Sequence, residues 1–464
     1  MSLKLSPTRT IHFLGIGGSG MSPLASYLLA RGWRVSGTDI NVSDTTKSLI
    51  EMGAEIFHEH AITNLDNVQL VVISTAIKED NVELQYAIKQ GLHVMRRAEM
   101  LDYLMGYCDT RIAVAGTHGK TTTSGFVSKM MFECEQDPHF VVGSVVADFD
   151  ASFRTSNGSI FVAEADESDG TFLSLHPTHA VITNLEEEHM AYFKTFDNLF
   201  DHFRRFMVSI RSRDGLIVYN GDDQNLQTLA AEFDSPQCIS YGLGDDVAFR
   251  AVNITFSSKG VAFDCEHNGK KIGTAQLSQF GMHNVYNSLG TIALGISMGL
   301  PKKDVLKGVG AFSGTRRRMQ FIGEHEDVRV FDDYGHHPTE INTTLNGVKE
   351  SLKNRLVCVF QPHRYTRTRD LLGEFASAFG AADILIITDI YSAGESEISG
   401  ISSTVLANMA TAQQDGDVFY VANKDEVPDF LKSKLQEGDI VVTMGAGDIT
   451  HVSRALVSTL KESS

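Results

Sequence analysis

Short apolar runs recur along this chain, and nearly every one ends in a cluster of glycine, hydroxyl or charged residues. Ile11–Leu14, Val35–Gly37, Leu70–Ser74 and His93–Met95 come first. Ile112–Ala115, Ile160–Ala163, Ala180–Thr183 and Leu216–Tyr219 follow. Phe249–Ile254, Gly260–Phe263 and Thr274–Leu277 alternate with turns, and Val328–Phe331, Leu356–Phe360, Ile384–Thr388 and Ile440–Met444 close the series. Unbroken apolar runs of this length suit strands buried on both faces. The segments between many of them, such as Leu24–Ala30, suit helices that cross back over a sheet. The pattern predicts an α/β protein. In such sheets ligands gather beyond the carboxyl ends of the strands, so the polar clusters are the candidate chemistry.

Two of these strand ends are rich in glycine. Gly15-Ile-Gly-Gly-Ser-Gly-Met-Ser22 follows the first strand, and the second ends at Thr38-Asp39. A G-x-G-x-x-G turn with an acid about 20 residues later has the form of the dinucleotide fingerprint, but its mechanics suit any pyrophosphate. Gly116-Thr-His-Gly-Lys-Thr-Thr122 follows Ile112–Ala115 and reads as a phosphate-binding loop. Its backbone N–H groups can hold an anion. Lys120 supplies a point charge for phosphates, and the Thr121 hydroxyl can ligate Mg²⁺. From Thr122 onward a helix is expected, its N-terminus favouring negative charge. The strict G-x-x-x-x-G-K spacing fails, since Val114 stands where the first glycine belongs.

Other strand ends carry metal-ligand chemistry. Glu164-Ala-Asp-Glu-Ser-Asp169 and Asn184-Leu-Glu-Glu-Glu-His189 bring oxygens and one imidazole beside the phosphate loop. Such a set suits Mg²⁺ or Mn²⁺, with Thr121, Glu164 and His189 as ligands and the remaining carboxylates as helix caps or solvated groups. Asn284 and Asn287, three apart at the start of a helix, share a face and can satisfy an adenine edge, or Asn284 can cap the helix. Gly314-Thr-Arg-Arg-Arg-Met319 places Arg318 ahead of a last α/β stretch. Its strands end in Asp332-Asp-Tyr-Gly-His-His-Pro338, Gln361-Pro-His-Arg-Tyr-Thr-Arg-Thr368, Asp389-Ile-Tyr-Ser-Ala-Gly-Glu395 and Gly445-Ala-Gly-Asp448. On a first helical turn Arg364 and Arg367 would share a face and both point at one carboxylate.

Composition narrows the partners. There are 40 Lys and Arg against 58 Asp and Glu, a formal charge of −18, which argues against nucleic acid or an anionic membrane surface. Cys108, Cys134, Cys238, Cys265 and Cys358 form no C-x-x-C pair and read as buried small hydrophobes in a reducing compartment. Met1–Thr10 lacks the apolar run of a signal peptide, so the expected location is cytoplasmic.

Taken together these motifs resemble the Mur ligases of bacterial cell-wall synthesis. Beyond the two glycine loops, the resemblance is carried by Glu164–Asp169, Thr183-Asn184 with His189-Met190, His283-Asn284 with Asn287, Arg317-Arg318, Asp332–Pro338, Gln361–Arg367 and Gly445–Asp448, over essentially the whole chain. It is strongest to the members that add L-alanine to UDP-N-acetylmuramic acid. It implies a Rossmann-like UDP-sugar domain (1–109), a central P-loop ATPase-type α/β domain (110–315) and a Rossmann-like C-terminal domain (316–464) that closes over the site. ATP would phosphorylate the muramyl carboxylate, and the alanine amine would attack the acyl phosphate. Gly15, Gly17, Gly18, Ser19, Gly20, Met21, Asp39 and Ser74 would hold the UDP-sugar. Gly116, Thr117, His118, Gly119, Lys120, Thr121, Thr122, Asn284, Asn287, Arg318 and Asp333 would hold ATP. Thr121, Glu164 and His189 would hold Mg²⁺. Tyr334, His336, His363, Arg364 and Arg367 would line the amino-acid site, and the catalytic set would be Lys120, Glu164, His189, His336, His363, Arg364 and Arg367. A monomer or homodimer is expected.

Some positions depart from the family's pattern. Glu188 and Ala191 flank His189 where Asp is usual, Pro23 follows the first loop, and Gly335 stands where Ala is common. Three rivals remain: an NAD-dependent oxidoreductase built on the first loop, a related ligase attaching a recycled peptide to the same sugar nucleotide, and a non-catalytic ATP-dependent switch.

Overall fold

The computed structural model describes residues 5–233, 235–257 and 259–462. Three sheets organise them. The first comprises β1 (Thr10–Leu14), β2 (Val35–Thr38), β3 (Glu55–Phe57), β4 (Val68–Ile73) and β5 (His93–Arg96). All neighbours are parallel, in the order β3-β2-β1-β4-β5. The order reverses between β1 and β4, which is where a crevice for a ligand opens in a doubly wound sheet.

The second sheet holds β6 (Thr110–Ala115), β7 (His139–Val146), β8 (Ala151–Arg154), β9 (Ile160–Glu164), β10 (His179–Ile182), β11 (Leu216–Asn220), β12 (Cys238–Gly242), β13 (Phe249–Ser257), β14 (Gly260–His267) and β15 (Lys270–Leu277). The order is β15-β14-β13-β12-β11-β10-β6-β9-β7-β8, with β10, β6 and β9 parallel neighbours. The loops after these three strands are the phosphate loop, the Glu164 cluster and the segment leading to His189, so the topology gathers them at one sheet end.

The third sheet contains β16 (Gln320–His325), β17 (Val328–Asp333), β18 (Leu356–Phe360), β19 (Ile384–Ile387), β20 (Asp417–Tyr420) and β21 (Ile440–Met444), in the order β16-β17-β21-β18-β19-β20. Only β16 is antiparallel to its neighbour. Across the three sheets five strands carry no clear apolar run, β3, β8, β12, β16 and β20, while the run of β7 is broken at Gly143-Ser144. Four of them (β3, β8, β16 and β20) are sheet edges. An edge strand faces water along one side and needs no continuous apolar run, which hides it from periodicity.

The chain divides into two compact units. One is Met1–Val252 with Asp264–Gly273 and Tyr286–Phe312; the other is Asn253–Phe263 with Thr274–Val285 and Ser313–Ser464. Within the first unit one apolar core runs from Ile11, Leu24 and Tyr27 to Phe161, Phe172 and Phe203. Tyr27 packs against Phe161 with the rings tilted and centroids 5.6 Å apart, and its hydroxyl meets His139 Nδ1 at 2.9 Å. The third sheet is covered on both faces, by Phe360, Phe375 and Leu406 on one and by Val359, Val441 and Leu456 on the other. Cys108, Cys134, Cys265 and Cys358 are buried and Cys238 half-buried, all as free thiols. Among the described residues no helix is long and apolar enough to cross a membrane.

Candidate active site

The loop after β1 is a tight turn. Gly18 N–H donates to Gly15 O at 3.1 Å, and Met21 and Ser22 N–H both donate to Gly18 O at 2.9 Å. The helix Ser22–Ala30 then begins with no side-chain cap, and Pro23 sits in its first turn, where a missing N–H costs nothing. Asp39 Oδ2 accepts from Gly17 N–H at 2.9 Å and its Oδ1 from Asn41 N–H at 3.0 Å. The acid of the fingerprint therefore pins the loop. Ser74 follows β4, and its N–H donates to Leu14 O at 3.3 Å. Gly18 and Ser19 are exposed, Met21 buried. Arg97 has no sequence signal but lies against this loop. A Cβ on Gly20 would come within 2.8 Å of Arg97 Cδ, and Arg97 Nη2 donates to Asp166 Oδ2 at 2.9 Å.

The phosphate loop is held from β10. Thr183 Oγ1 donates to His118 O at 2.6 Å, Asn184 Oδ1 accepts from His118 N–H at 2.8 Å, and Thr117 N–H donates to Asn184 O at 3.1 Å. Glu186 N–H donates to Thr117 Oγ1 at 2.9 Å. Gly116 has φ +133° and lies so close to Thr183 that a Cβ would fall 2.1 Å from its hydroxyl. Gly119 has φ +80°, and Asn287 Oδ1 lies 2.6 Å from where its Cβ would be. The spacing differs from G-x-x-x-x-G-K because the turn starts at Gly116, at the strand's end. The helix begins at Lys120 and runs to Glu133, two residues earlier than the sequence reading, so Thr121 and Thr122 lie in its first turn.

Lys120 Nζ donates to Gly116 O at 2.6 Å, Thr117 O at 2.9 Å and Glu167 Oε1 at 2.9 Å. Burial opposes its charge, but Glu167, Asp166 and Glu164 outweigh that and raise its pKa. Thr121 Oγ1 donates to Glu164 Oε1 at 3.0 Å, and Glu164 Oε2 accepts from Gly143 N–H at 2.9 Å. His189, with φ +58°, puts Nε2 3.4 Å from Glu167 Oε1 and 3.9 Å from Glu188 Oε2. Burial pulls the His189 pKa down, yet Glu167 and Glu188 hold it above the usual histidine value. Ligand atoms of Glu167, Glu188 and His189 all lie within 4.8 Å of one another. The donors thus form two neighbouring sets, Thr121 with Glu164, and His189 with Glu167 and Glu188. Carboxylate and hydroxyl oxygens with one imidazole fit Mg²⁺ or Mn²⁺ chemistry.

Glu167 departs from the reading of the spare carboxylates as caps or solvated groups. Its side chain is 1% exposed and pairs with Lys120. Asp169 Oδ1 accepts from Thr171 N–H at 3.0 Å, and Asp166 Oδ1 accepts from Ser168 N–H at 3.1 Å, each fixing its own turn. Asn284 is buried inside the helix Met282–Ser297 and is not its cap; its Nδ2 donates to Phe280 O at 2.8 Å. Asn287 is buried in the same helix.

In the second unit Asp333 is 4% exposed and accepts from Met319 N–H at 2.8 Å and Gly335 N–H at 2.7 Å. It shapes the loop that carries Arg318. Arg318 lies over the Tyr334 ring at 5.5 Å and 3.5 Å from Glu340 Oε1. His336 Nδ1 meets Tyr334 O at 3.1 Å; a carbonyl only accepts, so Nδ1 carries the proton and Nε2 is the ring's acceptor. Arg367 Nη1 reaches His363 Nδ1 at 3.2 Å; arginine only donates, so His363 Nδ1 is unprotonated. Burial, reinforced by Arg367, pushes both histidines down to about 4, so both rings are neutral at pH 7. Their centroids are 6.4 Å apart. Arg364 is not on the helix with Arg367. It precedes the helix Tyr365–Asp370 with φ +72° and ψ 136°.

Comparison with known proteins gives three successive family matches along the chain. The family model described as Mur ligase family, catalytic domain, matches residues 10–107; the middle domain matches 114–295; and the glutamate ligase domain matches 317–447. UDP-N-acetylmuramate–L-alanine ligases of Geotalea uraniireducens and Pelotomaculum thermopropionicum are 42% and 41% identical to this chain. The alignments cover 97% and 98% of this chain, and 98% of each relative. Among solved structures, the UDP-N-acetylmuramate–alanine ligase of Thermotoga maritima aligns with TM-score 0.84 and 26% identity, covering 98% of this chain and 100% of that one. A murein peptide ligase of Psychrobacter arcticus aligns with TM-score 0.70 and 26% identity, over 97% and 98%.

Proposed function

The chain belongs to the Mur ligase family, and we propose that it joins L-alanine to the carboxylate of UDP-N-acetylmuramic acid while ATP is converted to ADP and phosphate. The observation that carries this reading is the pairing, in one unit, of two distinct anion-binding loops: the Asp39-pinned turn after β1 and the Lys120 loop after β6. A dehydrogenase has no use for the second. A bare ATPase has no use for the first.

In this reading Gly15–Met21 cradles the UDP diphosphate, and Asp39 and Ser74 flank it. The substrate carboxylate attacks the γ-phosphorus, ADP leaves, and an acyl phosphate results. The amine of alanine then attacks the acyl carbon, phosphate departs, and an amide forms. Backbone N–H groups of 116–120 and Lys120 Nζ hold the triphosphate where charge builds during transfer. Asn284 and Asn287 face adenine, and Arg318 and Asp333 serve the phosphates and ribose. Thr121, Glu164 and His189 would hold Mg²⁺, with Glu167 and Glu188 beside His189. When bound, the ion neutralises and orients phosphate oxygens.

The amino-acid chemistry falls to the second unit. An arginine fork matches a carboxylate bidentately, so Arg364 and Arg367 capture the α-carboxylate. The alanine ammonium must lose a proton before it attacks. Neutral His336 offers Nε2 as an acceptor for an ammonium N–H, but with its pKa pushed down to about 4 by burial it is a weak base that passes the proton on rather than keeping it.

The test is ADP release. UDP-N-acetylmuramic acid plus ATP should release ADP over repeated turnovers only when L-alanine is added. Release with a peptide but not with alanine would favour the peptide-attaching relatives. Calorimetry on the same protein should detect the UDP-sugar and no NADH; tight NADH binding that competes with the UDP-sugar would sink the assignment of the first loop.

A further inference from the structure

The segment Asp389–Glu395, which follows β19, has no role in the reaction as derived above. Its backbone runs beside that of the amino-acid site. Tyr391 N–H donates to Pro362 O at 2.8 Å, and Arg364 N–H donates to Tyr391 O at 2.8 Å, making a parallel bridge between His363 and Tyr391. The rings of His363 and Tyr391 stack with centroids 5.5 Å apart and planes 10° from parallel. Ala393 at φ +50° and Gly394 at φ +84° then turn the chain. That turn carries the Glu395 carboxylate back to the Gln361–Thr368 segment.

Glu395 Oε2 accepts from Thr366 N–H at 3.0 Å, and Oε1 accepts from the Thr366 hydroxyl at 2.7 Å. Arg364 Nη1 lies 3.6 Å from Oε1. Thr366 is in the first turn of Tyr365–Asp370, a helix of six residues with no cap of its own. A helix that short does not persist without outside support. Glu395 supplies the missing acceptor from another segment and adds negative charge at the helix N-terminus. It also holds Arg364, whose φ of +72° is rarely adopted by an L-residue and persists only when its surroundings over-determine it. Arg364 O accepts from both Thr368 N–H at 3.1 Å and the Thr368 hydroxyl at 2.8 Å, closing the enclosure.

We propose that Glu395, with Tyr391 stacked on His363, is a positioning residue that fixes Arg364 and Arg367 for capture of the amino-acid carboxylate; this rests on the ligase reading above. Glu395 touches no reacting atom in that scheme and acts through Arg364, Thr366 and His363.

Glu395→Gln preserves volume but removes the charge and one acceptor. Its KM for L-alanine is expected to rise about tenfold or more, the usual effect of one lost charge-assisted contact. Affinities for an ATP analogue and for UDP-N-acetylmuramic acid should stay within about twofold, a span too small to mark a lost contact. Thr366→Val, which removes only the hydroxyl partner, should move the same KM in the same direction by less. Thermal unfolding is followed for both variants. An unchanged alanine KM overturns the proposal. So does a parallel loss across all three substrates, or unfolding of both variants, because Glu395 would then be a structural residue only. If the wild-type protein shows no alanine-dependent ADP release, the ligase reading itself fails; alanine-dependent wild type with normal Glu395→Gln kinetics sinks only this inference.

Discussion

Lys120→Ala is expected to cut ADP-forming turnover more than a hundredfold, a loss of at least about 3 kcal/mol of transition-state stabilisation. Lys120 is the only Lys or Arg in Gly116–Thr122, and in the proposed reading its charge meets the triphosphate. The structure adds a second consequence. Glu167 is 1% exposed, and Lys120 is its nearest cation. Removing one partner of a buried ion pair costs about 3–5 kcal/mol when nothing else compensates. Here His189 Nε2, 3.4 Å from Glu167 Oε1, can gain a proton and offset part of it, so the loss of stability falls toward or below the low end of that range. The single variant should therefore be both inactive and less stable. Lys120→Ala with Glu167→Gln should regain stability and stay inactive. Thermal unfolding beside steady-state ADP release separates the two effects. Near-normal kcat in a folded Lys120→Ala protein would remove the phosphate-loop assignment.

The second large effect is expected at Arg367. Arg367→Lys should leave ATP-analogue affinity near wild type, raise the KM for alanine or the UDP-sugar, and lower kcat. The expected size is about 1.5–3 kcal/mol for one lost charge-assisted hydrogen bond. A lysine ammonium cannot grip both oxygens of a carboxylate while also donating to His363 Nδ1, which Arg367 Nη1 reaches at 3.2 Å. Calorimetry with an ATP analogue and kinetics in each substrate are the readouts. A loss confined to ATP affinity would show that this face serves the nucleotide instead.

What the residues announced and what they concealed differ for a physical reason. A strand, a glycine turn and a helix in sequence are local, so both anion loops were legible, and with them Lys120 and Thr121. The parallel strands beneath them also showed, because they are buried on both faces. Partnerships between segments far apart in sequence did not. Glu167 looked like one of several carboxylates in an acidic run; only the pairing of β6 with β9 brings it to Lys120. Arg97 follows β5 of the first sheet and still reaches Asp166, which follows β9 of the second. Arg364 and Arg367 had the spacing of one helical face, but the helix begins at Tyr365, and Arg364 took a left-handed φ that no propensity signals. Asp333 also accepts backbone N–H groups on both oxygens, a structural role invisible until the loop around it is folded.

The way the chain is divided bears on any attempt to take the protein apart. It passes from one compact unit to the other after Val252, Phe263, Gly273, Val285 and Phe312. Neither unit is a continuous stretch of sequence. A protease cutting after Phe312 would release a C-terminal fragment lacking Asn253–Phe263 and Thr274–Val285, which belong to its own unit. The N-terminal fragment would keep those segments without the residues they pack with. Fragments made this way should complement each other when mixed but not stand alone, and insertions or new termini will be tolerated better in the loops within a unit than at these five crossings.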